Sequence, residues 1–222
     1  CTAPQEFQRV MERILGDLPF VKIYLDDIVI FSLTEQEHEK HVRAVLDRIR
    51  KANLRLNKDK CEFGKKEIEF LGFKIADGKK SPSDEKSKIF ANFPVPTSKR
   101  LLKGFLGLAN YVRHLIPDFA ELARPLFRAS NLKKFHWSDE CDANFRMLKD
   151  KLSSGPVVFL PNWDAPFIVT TDASEFGMGA VLSQEIDGER KVIEFLSKSF
   201  TDTERRYATI EKEATAILVA LE

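Results

Sequence analysis

Apolar residues recur at helical spacing between Gln5 and Leu18, where Phe7, Val10, Met11, Ile14 and Leu15 predict one buried face. Pro19 ends that pattern. Phe20–Tyr24 and Ile28–Phe31 are short β-prone runs split by Leu25-Asp26-Asp27, a pattern that predicts a hairpin with carboxylates at its tip. Thr34 followed by Glu37 forms a capping box, and the helix it opens runs to about Ala52 with Val42, Val45, Leu46 and Ile49 facing inward. Ile68–Ile75 reads as one strand containing Gly72. Asp77-Gly78 and Ser81-Pro82 then break the chain. Residues 83–155 are helical by period: Ser83–Ala91, Thr97 to about His114, Leu122–Ala129, and Ser138–Leu152 with Ser138 as cap. After Ser153-Ser154-Gly155-Pro156 the pattern turns to strands at 167–171, 179–183 and 192–196, with a last helix from Thr203 to Glu222. The class is α+β, in three segments, 1–77, 78–155 and 156–222.

The 222 residues are 43% hydrophobic and 31% charged, with 10 Gly and 10 Pro, which excludes collagenous, mucin-like and disordered chains. Three cysteines, Cys1, Cys61 and Cys141, lie far apart without a C-x-x-C, which argues against a disulfide framework or zinc ribbon and fits a reducing compartment. Cys61 and Cys141 read as small buried hydrophobes, and most of the 18 Phe as core. No apolar run approaches the ~18 residues of a membrane span, and no basic-then-apolar leader is present. Cys1-Thr2-Ala3-Pro4 reads as neither an initiator Met nor a helix start. Ile217–Glu222 stops inside an apolar pattern, so a piece of a longer protein is expected.

The net charge of +1 hides a segregation. Residues 1–77 balance at 14 basic and 14 acidic. Residues 78–155 carry 15 against 8, a net of +7, and residues 156–222 carry 6 against 12, a net of −6. A basic middle segment suits a polyanionic partner, although chance clustering on a solvated surface gives the same split.

Asp26 and Asp27 interrupt apolar strands where Asn-Gly or Asp-Gly would be the usual turn. Adjacent carboxylates repel. A divalent cation such as Mg²⁺, which takes carboxylate and phosphate oxygens together, resolves the conflict, and so does a solvated Asp-rich turn. His38 and His41, at i and i+3, could chelate a metal, but no third ligand is evident and a solvated helix face is the simpler account.

Tyr24-Leu25-Asp26-Asp27 between apolar strands resembles the Y-x-D-D motif of reverse transcriptases. Phe7–Met11 with Leu15–Phe20 is similar to the preceding helix in Ty3/gypsy-type long-terminal-repeat retrotransposons. Phe31-Ser32 with His38 and His41, Leu54–Phe63, Glu69–Gly72, Phe105–Tyr111, Ile116–Phe119, Thr171–Ser174 and Glu211–Glu213 continue that resemblance in the same order over the whole chain.

The resemblance implies the C-terminal part of a polymerase palm in 1–77, a helical basic thumb in 78–155, and the N-terminal part of a ribonuclease H-like domain in 156–222. The implied parent activity is RNA-directed DNA polymerisation with hydrolysis of the RNA in RNA–DNA hybrids. It implies two Mg²⁺ (or Mn²⁺) per active site, on Asp26 and Asp27 for synthesis and on Asp172 and Glu213 for hydrolysis. Glu211 competes with Glu213 for its role, and Glu213 is preferred because it precedes an apolar helix face by one turn. The third palm aspartate of the family lies upstream and has no counterpart here, and two further nuclease acids are expected beyond Glu222. Tyr24 would sit near the nascent pair and primer end, and Lys60 would protonate the departing pyrophosphate. Phe70, Leu71 and Gly72 match the primer grip, where glycine permits close backbone approach to the primer phosphate. Lys103, Gly107 and Tyr111, at i, i+4 and i+8, match the thumb face that tracks the hybrid, with Phe105, Leu106 and Leu108 filling the core face. The implied partners are RNA template, DNA primer, their hybrid, dNTPs and the rest of a Pol polyprotein, in the cytoplasm (a virus-like particle) or nucleus, with no membrane and no secretion. A decayed element that only binds hybrid is the alternative.

Overall fold

The computed structural model of the chain describes residues 3–222, so Cys1 and Thr2 of the opening tetrapeptide lie outside the described residues. Two compact units divide the chain, Cys1–Phe70 and Leu71–Glu222.

The first unit opens with α1 (Ala3–Leu15), which starts two residues earlier than the apolar period predicts because Ala3-Pro4 forms its first turn. Proline suits that position, since the first turn needs no backbone N–H partner. Met11 and Leu15 are buried, whereas Phe7 and Val10 stay exposed. β1 (Val21–Tyr24) and β2 (Asp27–Ile30) pair antiparallel, Val21 opposite Ile30 and Tyr24 opposite Asp27. α2 (Glu35–Lys51) is capped by Thr34, whose hydroxyl accepts from the Glu37 N–H. Val45 and Ile49 of α2 meet Met11, Leu15 and Val21 in one core. Arg48 donates to both carboxylate oxygens of Asp17 and to the Ile14 carbonyl, tying α2 to the end of α1. β3 (Glu67–Phe70) closes the unit.

The single strand expected over 68–75 is two, β3 and β4 (Phe73–Ala76). Leu71 and Gly72 both take positive φ, 52° and 68°, which no continuous strand allows. Asp77 (φ 48°) and Gly78 (φ 70°) then form the turn to β5 (Lys79–Pro82), a strand where the sequence reads as a break. Within the second unit, β4, β5 and β6 (Val158–Phe159) pair antiparallel in that order.

Four helices follow β5: α3 (Asp84–Asn92), α4 (Lys99–Tyr111), α5 (Phe119–Asn131) and α6 (Asp139–Ser153). Ser83, Ser98 and Ser138 cap α3, α4 and α6 through their hydroxyls. The core these helices share is centred on Phe105, which touches the rings of Phe90, Phe93 and Phe145. Leu102, Leu106 and Ala109 of α4 join it, but Leu108 does not: it is 40% exposed, on the outer side of α4, contrary to the sequence reading. Cys141 is buried as expected, while Cys61 is half-buried and sits in the first unit with its thiol on the Asn57 carbonyl. Phe7, Phe31, Phe63, Phe127 and Phe167 are exposed rather than core.

β7 (Ile168–Ala173), β8 (Gly177–Ile186) and β9 (Glu189–Ser199) form an antiparallel sheet, longer at β8 and β9 than the apolar runs alone predict. α7 (Thr209–Leu221) starts six residues later than expected. A 3₁₀ turn at Glu204–Arg206 and an extended Tyr207 intervene, and the Glu211 carboxylate then caps the helix by accepting from the Ala208 N–H at 2.8 Å. Among the described residues no helix is long and apolar enough to cross a membrane.

Candidate functional site

The β1–β2 turn is two residues long, Leu25-Asp26, with Asp27 opening β2. Leu25 has a φ of 53°, an uncommon conformation for a branched residue that normally costs about 1 kcal/mol or more. Gln8 of α1 holds it there. Its side-chain oxygen accepts from the Leu25 N–H at 2.6 Å, and its amide nitrogen donates to the Ile23 carbonyl at 3.4 Å and to Glu12 Oε1 at 2.9 Å. The apolar period of α1 does not single out Gln8. The available signal was an amide flanked by the apolar positions Phe7 and Met11 of an amphipathic helix. Tyr24, cross-strand from Asp27, is half exposed.

Asp26 and Asp27 are both exposed, and among the described residues neither carboxylate is paired with a cation or a hydrogen-bond donor. Two hard oxygen donors with no competing cation suit a divalent ion that keeps waters or phosphate oxygens for its remaining positions. Among the described residues no set of three or more His, Cys, Asp or Glu gathers anywhere. His38 and His41 instead converge on the Ser32 hydroxyl, at 3.3 and 2.8 Å, and His41 stacks flat on Phe20 with ring centres 3.6 Å apart. Lys60 ends a 3₁₀ turn (Lys58–Lys60), exposed.

Leu71 and Gly72 are joined to Tyr111, forty residues on. The Tyr111 hydroxyl donates to the Leu71 carbonyl at 2.7 Å, and the Gly72 carbonyl accepts from the Ser83 N–H at 3.1 Å. Phe73 stacks on Tyr111 at 5.4 Å, and the Lys86 ammonium lies 3.7 Å from the Tyr111 ring centre. A Cβ added at Gly72 would meet only the movable end of the Lys86 side chain, so it is the positive φ that calls for glycine there. Phe70 ends β3, half-buried.

His114 also packs on Phe73, ring centres 5.4 Å apart, with its Nε2 buried and unpartnered. Burial first, then the nearby Lys80 and Arg113 charges, push its pKa down to about 4. Burial also lowers the Lys80 ammonium, with Glu194 opposing. Below about pH 6.5 the unfolded chain takes up a proton that folded His114 refuses. The histidine's effect is therefore absent above pH 6.5 and grows as pH falls to about 4. Discounted for partial solvent access, we expect a loss of about 1–2 kcal/mol between pH 7 and pH 4. Urea unfolding of wild type and His114→Leu at both pH values checks this: the variant should lose less stability on acidification, and parallel losses would refute it.

Lys103 and Gly107 are exposed on α4, on the side away from Phe105. A Cβ at Gly107 would meet nothing within 4 Å, so the protein's own packing does not call for glycine there.

Asp172 lies near the end of β7, exposed, and Glu213 is half-buried on α7. α7 packs on β7 and β8, with Ala216 buried against Met178 and Ala180, and Ala173, Val219 and Ala220 alongside. Glu213, Ala216 and Ala220 share one helix face, which directs Glu213 to the sheet side. Glu211 is occupied by the helix cap, which separates two glutamates that the sequence left in competition.

Residues 1–75 match the family model described as reverse transcriptase (RNA-dependent DNA polymerase), and residues 137–222 match the RNase H-like domain found in reverse transcriptase. The chain is 40% identical over 98% of its length to the retrovirus-related Pol polyprotein from transposon 297 of Drosophila melanogaster. It is 38% identical over 97% to that from transposon gypsy of the same organism, and 34% identical over 99% to the transposon Tf2-3 polyprotein of Schizosaccharomyces pombe. It spans 21%, 22% and 17% of their lengths, respectively. Among solved structures it superposes on a foamy viral protease-reverse transcriptase (dRH) in complex with ds DNA. The TM-score is 0.87 with 25% identity, over 99% of this chain and 39% of that one. The fold also matches the foamy viral protease-reverse transcriptase in complex with RNA/DNA hybrid, at a TM-score of 0.86 and 24% identity, over 99% of this chain and 30% of that one.

Proposed function

The chain belongs to the reverse transcriptase and ribonuclease H region of retrotransposon Pol polyproteins, and from that membership we propose that it serves RNA-directed DNA synthesis and hydrolysis of RNA in RNA–DNA hybrids. In this reading residues 1–77 are palm, 78–155 thumb and 156–222 the beginning of the ribonuclease H-like domain. The observation that carries it is the Asp26-Asp27 turn, two exposed unpaired carboxylates on a strained hairpin held by Gln8.

Asp26 and Asp27 would hold divalent metal at the synthetic site, and Asp172 and Glu213 at the hydrolytic one, two Mg²⁺ or Mn²⁺ at each. Such ions stabilise the charge of attacking and leaving oxygens in phosphoryl transfer. The protein's own groups do the rest. Gln8 fixes the turn so that the carboxylates need no rearrangement. Exposed Tyr24 offers a ring to the primer end and the incoming dNTP, and Lys60 supplies a proton donor for the leaving pyrophosphate. Leu71-Gly72, anchored by Tyr111 and Ser83, presents a rigid backbone turn to the primer. Lys103 supplies charge to a hybrid phosphate, and Gly107 leaves room for close approach.

Gly107 separates this role from a structural one. Gly107→Ala should stabilise α4 by about 0.5–1 kcal/mol, because alanine is the better helix former and no neighbour obstructs its methyl. The same change should weaken binding of a fluorescent RNA–DNA hybrid, by about tenfold if the strand contacts the helix there. Lys103→Ala should lower the slope of log K against log salt by about one. Anisotropy titrations at several salt concentrations, with thermal melts, measure both. Salt-independent binding, or hybrid affinity unaltered in both variants, would overturn the reading.

A further inference from the structure

The Trp163 indole, on the connection from β6 to β7, is 82% exposed, yet the loop that carries it is held still. Gln184 of β8 is fully buried and commits its whole side-chain amide to that loop. Its Nε2 donates to the Asn162 and Ala165 carbonyls at 2.6 and 2.8 Å, and its Oε1 accepts from the Asn162 N–H at 2.9 Å. Within the loop, Asn162 Oδ1 accepts from the Asp164 N–H at 3.1 Å, and the Asn162 carbonyl accepts from the Ala165 N–H at 3.2 Å. Pro161 and Pro166 bracket the loop, each with its φ fixed by the ring. A large ring held out to solvent on a loop with little freedom left to lose is pre-organised for a partner.

Beside this ring is an open cavity of about 470 Å³, lined by Trp163, Phe159, Phe167, Leu182, Lys80 and Glu194 among others. Phe167 meets the indole with ring centres 5.7 Å apart and planes at 61°, tilted rather than stacked, and the indole's exposure leaves it a face for a ligand. The cavity wall is basic as well as aromatic. The Lys79 and Lys191 ammonium groups lie 5.4 and 5.5 Å from the centre of the Phe159 ring, and Lys80 adds a third. Against these stand two exposed carboxylates, Glu194 in the lining and Asp164 next to Trp163 in the chain.

We propose that this face binds a single-stranded stretch of nucleic acid, with an unpaired base stacked on Trp163 and neighbouring phosphates on Lys79 and Lys191. An aromatic platform flanked by lysines suits any unpaired base, because every base has a π face and every nucleotide link a charge. A paired base has its faces covered by its neighbours in the stack, so a duplex or hybrid does not fit. An apolar protein surface would use the ring but leave the ammonium groups unmatched. Glu194 and Asp164 oppose a phosphate beside the ring and so leave that contact to Lys79 and Lys191. The assignment rests on the function proposed above for the kind of polymer that reaches this face, and it adds a contact for the polymer's unpaired part.

The test uses the full chain labelled with 5-fluorotryptophan. Its two tryptophans, Trp137 and Trp163, give two ¹⁹F signals, which Trp163→Phe assigns. The probes are a short single-stranded oligothymidylate and, for comparison, a blunt RNA–DNA hybrid. We expect a saturable shift of the Trp163 signal with the single strand alone. Its affinity should be about tenfold weaker in Trp163→Ala and largely kept in Trp163→Phe. The slope of log K against log salt should shrink by about 0.7 for each of Lys79→Ala and Lys191→Ala. The ring is exposed, so Trp163→Ala should melt at the wild-type temperature. A Trp163 signal unmoved by the single strand overturns the site, as does full affinity in Trp163→Ala or an equal shift with the blunt hybrid. A shift that grows with protein concentration alone would give the face to a second copy of the chain and overturn it as well. The two readings fail separately. Hybrid binding that needs Lys103 and Gly107, with Trp163 silent to the single strand, removes this site and keeps the proposed function. A Trp163 shift with the single strand, and no hybrid binding, does the reverse.

Discussion

Replacing Asp26 and Asp27 together by asparagine is expected to weaken Mn²⁺ binding at the β1–β2 turn by at least about 100-fold while leaving the fold intact. Even outer-shell substitutions cost 10–100-fold in metal affinity, and these two are the only carboxylates the turn supplies. Both are exposed and unpaired among the described residues, so the fold should lose no more than about 0.5 kcal/mol. Asparagine keeps the shape and removes the charge, and the turn geometry, set by Gln8 on the Leu25 N–H, persists. Electron paramagnetic resonance of Mn²⁺ with the wild type and the double variant measures the change. Equal uptake in both would assign the carboxylates to an ordinary solvated turn. Hybrid binding that survives alongside absent Mn²⁺ binding in the wild type would favour a remnant that retains affinity without chemistry.

Why was the carboxylate turn legible in the sequence when the Leu71-Gly72 turn was not? At the first, apolar runs on both sides end abruptly at charges, so pattern alone locates the break. At the second, Phe70-Leu71-Gly72-Phe73 is apolar throughout and reads as continuous strand. What breaks it is backbone conformation, a leucine and a glycine both at positive φ. That arrangement is secured from outside by Tyr111 and Ser83, which no local pattern encodes. The α-helices of 83–155 were legible because three serine caps and the 3.6 period agree. The start of α7 was not. The helical pattern opens at Thr203, but the Glu204 carboxylate accepts from the Thr201 N–H and hydroxyl in a local turn, and the cap comes from Glu211.

The candidate site shows the same division. Residue types that announce chemistry, such as adjacent aspartates, could be found by reading. Residues that position the turns could not, because Gln8 and Ser83 act through partners outside their own elements. Gln8 reaches its partner across 17 positions, and Tyr111 across 40. Contacts of that range depend on packing, which periodicity does not specify.

Packing also gives the second large effect, because α4 has one face in the core and the other in solvent. Phe105→Ala should destabilise the segment 71–222 by about 3–5 kcal/mol. The ring is fully buried and touches Phe90, Phe93 and Phe145, with centroids 4.7–6.3 Å apart, so its removal leaves a void that three helices cannot easily close. At roughly 2–4 °C per kcal/mol for a segment of this size, the melting temperature should fall by about 6–20 °C. Leu108→Ala, three residues on and 40% exposed, should cost less than about 1 kcal/mol. Thermal melts of the two variants decide which face of α4 is buried. Equal losses would restore the assignment that spacing alone suggested, with Leu108 in the core. Hybrid binding should follow the same ranking near the Phe105→Ala midpoint, since Lys103, Gly107 and Tyr111 ride on the helix whose inner face Phe105 anchors. The hybrid affinity of Leu108→Ala reports separately on how far the outer face extends beside Gly107.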